Sequence, residues 1–329
     1  LAEFDLIERI RRAVGAPGLG TVVGIGDDAA VFEPSGQLEL VTCDAFVEGV
    51  HFRRDYASFR EIGAKCMVAN VSDVAAMGGF PSRAVVSVCV PSDVSEDDMM
   101  EFYGGMLDVC SAHGFEIAGG DVVGSPRGLV VSITLIGAVD RGRIVTRAGA
   151  VPGDVIVVTG ELGASEAGLM ALGAGFELDG AVSEVVNRHL SPVARIAEAQ
   201  AILEVATPHA MIDVSDGLSS DVTHIAEESG VGVRLYAASI PVASAAVEVA
   251  RMLETDAVDL ALASGEEFEL VVAIPASECE RTAEHVEAVT GTPVTMIGEI
   301  VETSVGCVIE SADGSYEPLE LSGYEHLSQ

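Results

Sequence analysis

Acidic residues stand in short, glycine-flanked clusters along this chain, and each cluster borders an apolar run. They are Gly26-Asp27-Asp28, Thr42-Cys43-Asp44, Val71-Ser72-Asp73, Gly119-Gly120-Asp121 and Ile212-Asp213-Val214-Ser215-Asp216-Gly217, beside runs such as Thr21–Ile25, Leu38–Val41, Ile117–Ala118 and Met211–Ile212. Apolar runs of this length that stop at Gly-Asp turns are expected to be strands ending in loops. Carboxylates at strand ends can converge in space although they are far apart in sequence. Held together, they raise one another's pKa unless a cation neutralises them. Hard oxygen ligands suit Mg2+, which takes a few carboxylates together with phosphate oxygens of a substrate. The pattern points to a magnesium–nucleotide site assembled from many segments.

A chain of 329 residues is long enough for two domains that each bury a core. Its 52 acidic and 17 basic residues give a formal net charge of −35. Such a surface argues against nucleic acid as a partner, because phosphate backbones require a basic one. Lys65 is the sole lysine. High salt would screen the self-repulsion, so the acid excess is consistent with a saline interior. The six cysteines include no Cys-x-x-Cys pair and suit buried thiols in a reducing cytoplasm better than disulfides or a zinc site. No apolar run has the length of a membrane span. Leu1–Arg12 has the pattern of a charged amphipathic helix, not of a signal peptide, so a cytoplasmic location is expected.

Strand-like and helix-like stretches alternate. Strands are expected at Ala84–Val90 and Leu129–Val139, with a helix over Ser95–His113 stopped by Gly114. The turn-rich block Arg141–Asp154 marks a domain boundary, giving domains 1–140 and 141–329. Beyond it the pattern gives strands at Val155–Thr159, Val231–Leu235, Glu269–Ile274 and Val294–Ile300. Helices are expected at Ser165–Leu172, Val193–Leu203 and Leu218–Ser229. The fold class is α/β, or α+β. Taken singly, Asp73 and Asp216 also read as N-caps of helices starting at Val74 and near Leu218. No G-x-x-x-x-G-K-[ST] pattern is present, so nucleotide binding would use an acidic, metal-bridged mode.

The motifs stand in a fixed order: GIGDDAAVF (24–32), VTCDAFVEGVHF (41–52), GAKCMVANVSDVAAMGGFP (63–81), AGGD (118–121), IVTRAGAVPGDVIVVTGELGASEAGL (144–169), IDVSDGL (212–218) and SGEEFEL (264–270). In that order the chain resembles the thiamine-monophosphate kinase family, from Phe4 to Leu327. The superfamily also holds aminoimidazole ribonucleotide synthetase, selenophosphate synthetase and a hydrogenase maturation protein. The resemblance implies the two-domain synthetase fold. Its N-terminal ATP/Mg-binding domain pairs its sheet across a homodimer, and its C-terminal α/β domain completes the nucleotide and substrate sites. It also implies ATP-dependent phosphorylation of thiamine monophosphate to thiamine diphosphate, without a catalytic acid, base or nucleophile from the protein.

By matching position, the resemblance implies Mg2+ ligands at Asp28, Thr42, Cys43, Asp44, Asp73, Asp121, Asp213 and Asp216. ATP contacts fall at Tyr103, Gly120, Asp121, Arg147 and Ser215, and thiamine-phosphate contacts at His51, Glu266 and Tyr324. Two other readings share these residues: a ring-closing or dehydrating synthetase of the same superfamily, and a non-enzymatic nucleotide or cation sensor. Two departures from the family pattern stand out. Cys43 replaces a usual threonine, and since Mg2+ prefers oxygen to sulfur, it is expected to offer its backbone carbonyl or nothing. SGEEF replaces the commoner GGEDY, so Glu267 and Phe268 are expected to alter substrate affinity.

Overall fold

A computed structural model describes residues 3–15, 21–23, 31–32 and 36–320. Asp28 and Tyr324 lie outside the described residues. The chain divides into two compact units: residues 1–74 with 79–142, and residues 75–78 with 143–329. Among the described residues no helix is long and apolar enough to cross a membrane.

Unit 1 contains α1 (Glu3–Val14), the antiparallel pair β1 (Thr21–Val23) and β2 (Val31–Phe32), then β3 (Leu38–Val47), α2 (Phe59–Ala76), β4 (Phe80–Pro91), α3 (Glu96–His113), β5 (Glu116–Ser125) and β6 (Val130–Val139). Four strands form one sheet in the order β3-β6-β4-β5; only the β4–β5 pair is parallel. Burial alternates residue by residue along β6, as expected of a sheet with one packed and one open face. The start of α3 is fixed by a capping box. The Ser95 hydroxyl accepts the Asp98 N–H, and the Asp98 carboxylate accepts the Ser95 N–H. Gly114 ends that helix in the left-handed region at φ 72°.

Helix α2 is different. It is buried nearly all round, including Lys65, Asn70 and Ser72, and so lacks an amphipathic period. The expected helix start at Val74 is therefore corrected: Asp73 lies in the last turn of α2, not at an N-cap.

Unit 2 contains β7 (Asp154–Thr159), α4 (Ala164–Ala174), α5 (Gly180–Leu190), α6 (Ile196–Val205), β8 (Ala210–Asp213), α7 (Leu218–Ser229), β9 (Gly232–Tyr236), α8 (Ser244–Met252), α9 (Ala257–Ala263), β10 (Leu270–Pro275), α10 (Cys279–Thr290), β11 (Val294–Val301), β12 (Cys307–Glu310) and β13 (Tyr316–Pro318). Its seven-stranded sheet runs β13-β12-β9-β11-β7-β10-β8. Every residue of β7 and β8 is buried, which explains why these strands read as continuous apolar runs instead of alternating. Ile156, Val158 and Ile212 from the strands meet Leu218, Val222 and Ile225 of α7 in the core. Strand β8 lies at the sheet edge and ends on Asp213, so the chain leaves the sheet directly into the Val214–Gly217 loop.

Candidate active site

In unit 1 the alternation of β3 decides which side chains meet. Thr42 and Asp44 point to the packed face, and Cys43 points to the other. The Thr42 hydroxyl donates to Asp73 Oδ2 at 2.5 Å. Burial, and then the charge of Asp73, push the Asp44 carboxyl up to about 6. Three of the expected ligands are thus gathered from one strand and one helix. Cys43 Sγ instead lies 3.6 Å from Ser132 Oγ and 3.4 Å from Thr134 Oγ1, turned away from that set.

Asp121 also stands apart within unit 1. Strand register aligns Asp44 with Ile133, Val86 and Gly120, whereas Asp121 belongs to the next row with Ser87, Ser132 and Ala45. Adjacent rows project to opposite faces, so Asp121 does not join Asp44 and Asp73 on the packed face. Gly120 allows β5 to approach β4 closely; a Cβ there would sit 2.0 Å from the Val86 carbonyl oxygen. Tyr103 is 3% exposed, edge-on to Phe102 inside unit 1, and burial pushes its hydroxyl pKa upward. Its side chain packs in the interior of unit 1, so the ring itself is not presented for the expected nucleotide contact. His51 is half-buried; Val47 N–H donates to its Nδ1 at 3.0 Å, which leaves the ring proton on Nε2.

Unit 2 collects its own set in a loop. Asp213 is 2% exposed, while Ser215 and Asp216 are half-buried. Asp216 does not cap α7; that end is Gly217, at φ 125° with a Cβ position 2.9 Å from the Ala263 carbonyl oxygen. The helix start carries no side-chain cap; Asp221, which sequence reasoning missed, instead holds the loop that precedes α7. Its Oδ2 accepts the backbone N–H groups of Ser215, Asp216 and Gly217 at 3.1, 3.2 and 3.1 Å. A carboxylate in the first turn of a helix that follows a glycine was the available signal. Burial and the charges of Asp213 and Asp216 push Asp221 up to about 8. Asp216, Asp221 and His224 present ligand atoms within 4.8 Å of one another. The unit-1 set and Asp213 and Asp216 offer carboxylate and hydroxyl oxygens, a donor chemistry that fits Mg2+; a cation there would offset the neighbouring charges that help raise Asp44 and Asp221.

A second segment straps this loop. Glu266 N–H donates to the Ser215 carbonyl at 2.8 Å, Phe268 N–H to the Val214 carbonyl at 2.9 Å, and Val214 N–H to the Glu269 carbonyl at 2.8 Å. Glu266 and Phe268 adopt φ of 55° and 54°, left-handed backbone that is uncommon outside glycine. Between them Glu267 turns inward, where Oε1 accepts Ser165 N–H at 3.0 Å at the start of α4 and the Ser264 hydroxyl at 2.5 Å. Burial pushes Glu267 up to about 7. Phe268 is buried too, so both residues expected to tune the substrate serve the interior of unit 2. Glu269 is fully buried and accepts two hydrogen bonds from Arg195, at 2.7 and 2.5 Å, and one from Thr159 at 2.7 Å. Glu266 is 30% exposed, with Oε2 3.9 Å from Nδ1 of the buried His189. Arg147 is exposed, and its neighbour Thr146 accepts the N–H of Met211 in β8.

Residues 26–139 match the AIR synthase related protein, N-terminal domain, and residues 151–309 match the AIR synthase related protein, C-terminal domain. The thiamine-monophosphate kinase of Bacillus subtilis (strain 168) is 35% identical over 330 residues, covering 99% of each chain. The crystal structure of thiamine-monophosphate kinase from Stenotrophomonas maltophilia K279a aligns with a TM-score of 0.83 at 33% identity, over 96% of this chain and 98% of that one. A structure described as AaThiL complexed with AMPPCP and TMP aligns with a TM-score of 0.79 at 31% identity, over 99% of this chain and 97% of that one.

Proposed function

We propose a phosphoryl transfer for this chain on the premise that it belongs to the thiamine-monophosphate kinase family, within the AIR synthase related proteins. The γ-phosphoryl group of ATP passes to a phosphate oxygen of thiamine monophosphate. A bond forms between that oxygen and the γ-phosphorus, the bond to the β–γ bridging oxygen breaks, and thiamine diphosphate and ADP leave. The acceptor is already anionic near neutral pH, so no side chain has to remove a proton. The barrier is the repulsion between two anions, and catalysis is positioning plus charge neutralisation. The neighbour described as bound to AMPPCP and TMP supports this reading.

The observation that carries it is the pair of oxygen-donor sets, one in each unit, lying on the family's motifs. Thr42, Asp44 and Asp73 would hold Mg2+ in unit 1, and Asp213 and Asp216 in unit 2. Bound Mg2+ would neutralise phosphate charge. Arg147 offers a permanent cation to phosphate oxygens, Ser215 a hydroxyl, and Glu266 a partly exposed carboxylate to the cationic substrate. His51, half-buried with its Nδ1 taken by the Val47 N–H, completes the substrate set. Asp28, Asp121 and Tyr324 enter only through the family's motifs. The open face of the β3-β6-β4-β5 sheet, where Val41 is 67% exposed, is the surface for a second copy, and the cytoplasm is the compartment.

The test is a coupled assay for thiamine diphosphate with purified chain, ATP, Mg2+ and thiamine monophosphate. Turnover is expected. ATP consumption with a formylglycinamidine substrate alone would assign the chain to the synthetases, and equilibrium binding without turnover would make it a sensor.

A further inference from the structure

We propose that Asp221 is a positioning residue that sets the unit-2 metal and nucleotide side chains by holding the backbone of Ser215, Asp216 and Gly217. The inference rests on the kinase reading of that loop.

Three consecutive N–H groups point at one oxygen, Asp221 Oδ2, all at 3.1–3.2 Å. Consecutive N–H groups that converge in this way form a concave nest whose shape depends on the anion at its centre. Here the acceptor at the centre is a carboxyl oxygen of the protein itself. Asp221 is 1% exposed and sits on α7, whose Leu218, Val222 and Ile225 are packed into the core, so the nest is referenced to a rigid element.

The loop is fixed on its other side as well. Glu266 and Phe268 donate to the carbonyls of Ser215 and Val214, and Gly217 passes against Ala263. N–H groups held from α7 and carbonyls held from residues 266–268 leave the loop backbone little freedom. One consequence concerns side chains. Asp221 holds the loop N–H groups from behind, and α7 starts without a side-chain cap, so neither Ser215 nor Asp216 spends its side-chain oxygen on capping and both stay half-buried. A loop that presents two ligating side chains while its own N–H groups are saturated from behind is preorganised for a cation and its phosphate partner.

The test compares Asp221→Ala with Asp221→Asn in the full chain. Binding of Mg2+ and a non-hydrolysable ATP analogue is read by calorimetry, and Mg2+ activation, kcat and KM are read in the kinase assay. An asparagine carbonyl can accept the same N–H groups, and alanine cannot. Asp221→Ala is expected to weaken Mg2+–analogue binding about 10–100-fold, with the KM for thiamine monophosphate little changed, and Asp221→Asn to restore binding to within about threefold of wild type. Wild-type-like binding by Asp221→Ala would overturn the proposal. Asparagine as damaging as alanine would also overturn it, assigning the carboxylate itself to the metal. If Asp221→Ala fails to fold, amide exchange in the wild type decides. Ser215, Asp216 and Gly217 N–H groups must be protected like the interior of α7, and fast exchange sinks the idea. Calorimetry needs no thiamine monophosphate, so loss of the kinase reading and loss of the Asp221 role register as different results.

Discussion

The two acidic sets are built by opposite means. In unit 1 the carboxylates sit on regular structure, Asp44 mid-strand on β3 and Asp73 in the last turn of α2, and their backbone is fixed by the sheet ladder and the helix. In unit 2, Asp213 ends a strand and Asp216 sits in a loop with no ladder of its own. Its geometry comes from Asp221 on one side and the Glu266–Glu269 strap on the other. Carboxylates on regular elements need no dedicated supports, whereas a carboxylate-bearing loop depends on buried polar groups elsewhere. Sensitivity to substitutions outside the two acidic sets should therefore concentrate in unit 2.

The largest effect is expected from the unit-1 carboxylates. Asp73→Asn and Asp44→Asn should each lower kcat by about 10²–10³-fold, with a native circular dichroism spectrum. More than half the wild-type rate at saturating Mg2+ would remove that residue from the metal set. Asp44 also gives a pH signature in metal-free protein. Its folded pKa of about 6 lies above the ordinary 3.8, so its contribution to stability is full below 3.8 and lost as pH rises through about 6. Asp44→Asn should therefore melt above wild type at pH 7 and converge with it at pH 4. A constant difference across that window would contradict the burial and repulsion assigned to Asp44.

Next in size is the strap. Arg195→Leu leaves Glu269 buried without its bidentate partner and should destabilise the fold by about 3–5 kcal/mol. Chemical denaturation measures it, and a loss under about 1 kcal/mol would show that the strap does not lean on this pair. Glu267→Ala removes the acceptor for Ser165 N–H and the Ser264 hydroxyl and should cost about 1–3 kcal/mol. A change in the KM for thiamine monophosphate with unaltered stability would return Glu267 to the substrate. The smallest effect belongs to Cys43→Thr. Because Sγ faces away from Asp44 and Asp73, the Mg2+ concentration for half activation should stay within about twofold of wild type. A marked drop would place that side chain with the metals after all.

Elements that follow one local rule are legible in the sequence. The alternation of β6 and the Val-rich run of β7 both announce strands, and Ser95 and Gly114 mark the ends of the Ser95–His113 helix chemically. Helix α2 is not legible in this way, because burial on all sides erases the period that reveals a helix. At the site, the acidic clusters and the SGEEF segment can be named from sequence. The inward turn of Glu267 cannot, because it depends on left-handed backbone at Glu266 and Phe268.

Sequence alone determined the residue types, the order of the motifs and hence the family, since these need no knowledge of what packs against what. Tertiary structure alone decided facing. Register set Asp121 on the sheet face opposite Asp44, burial moved Tyr103 into the core, and the first turn of α7 brought Asp221 back under the loop it follows. A side chain's direction is fixed by strand register and helix phase, and those are settled only when the whole apolar surface of each unit is buried at once.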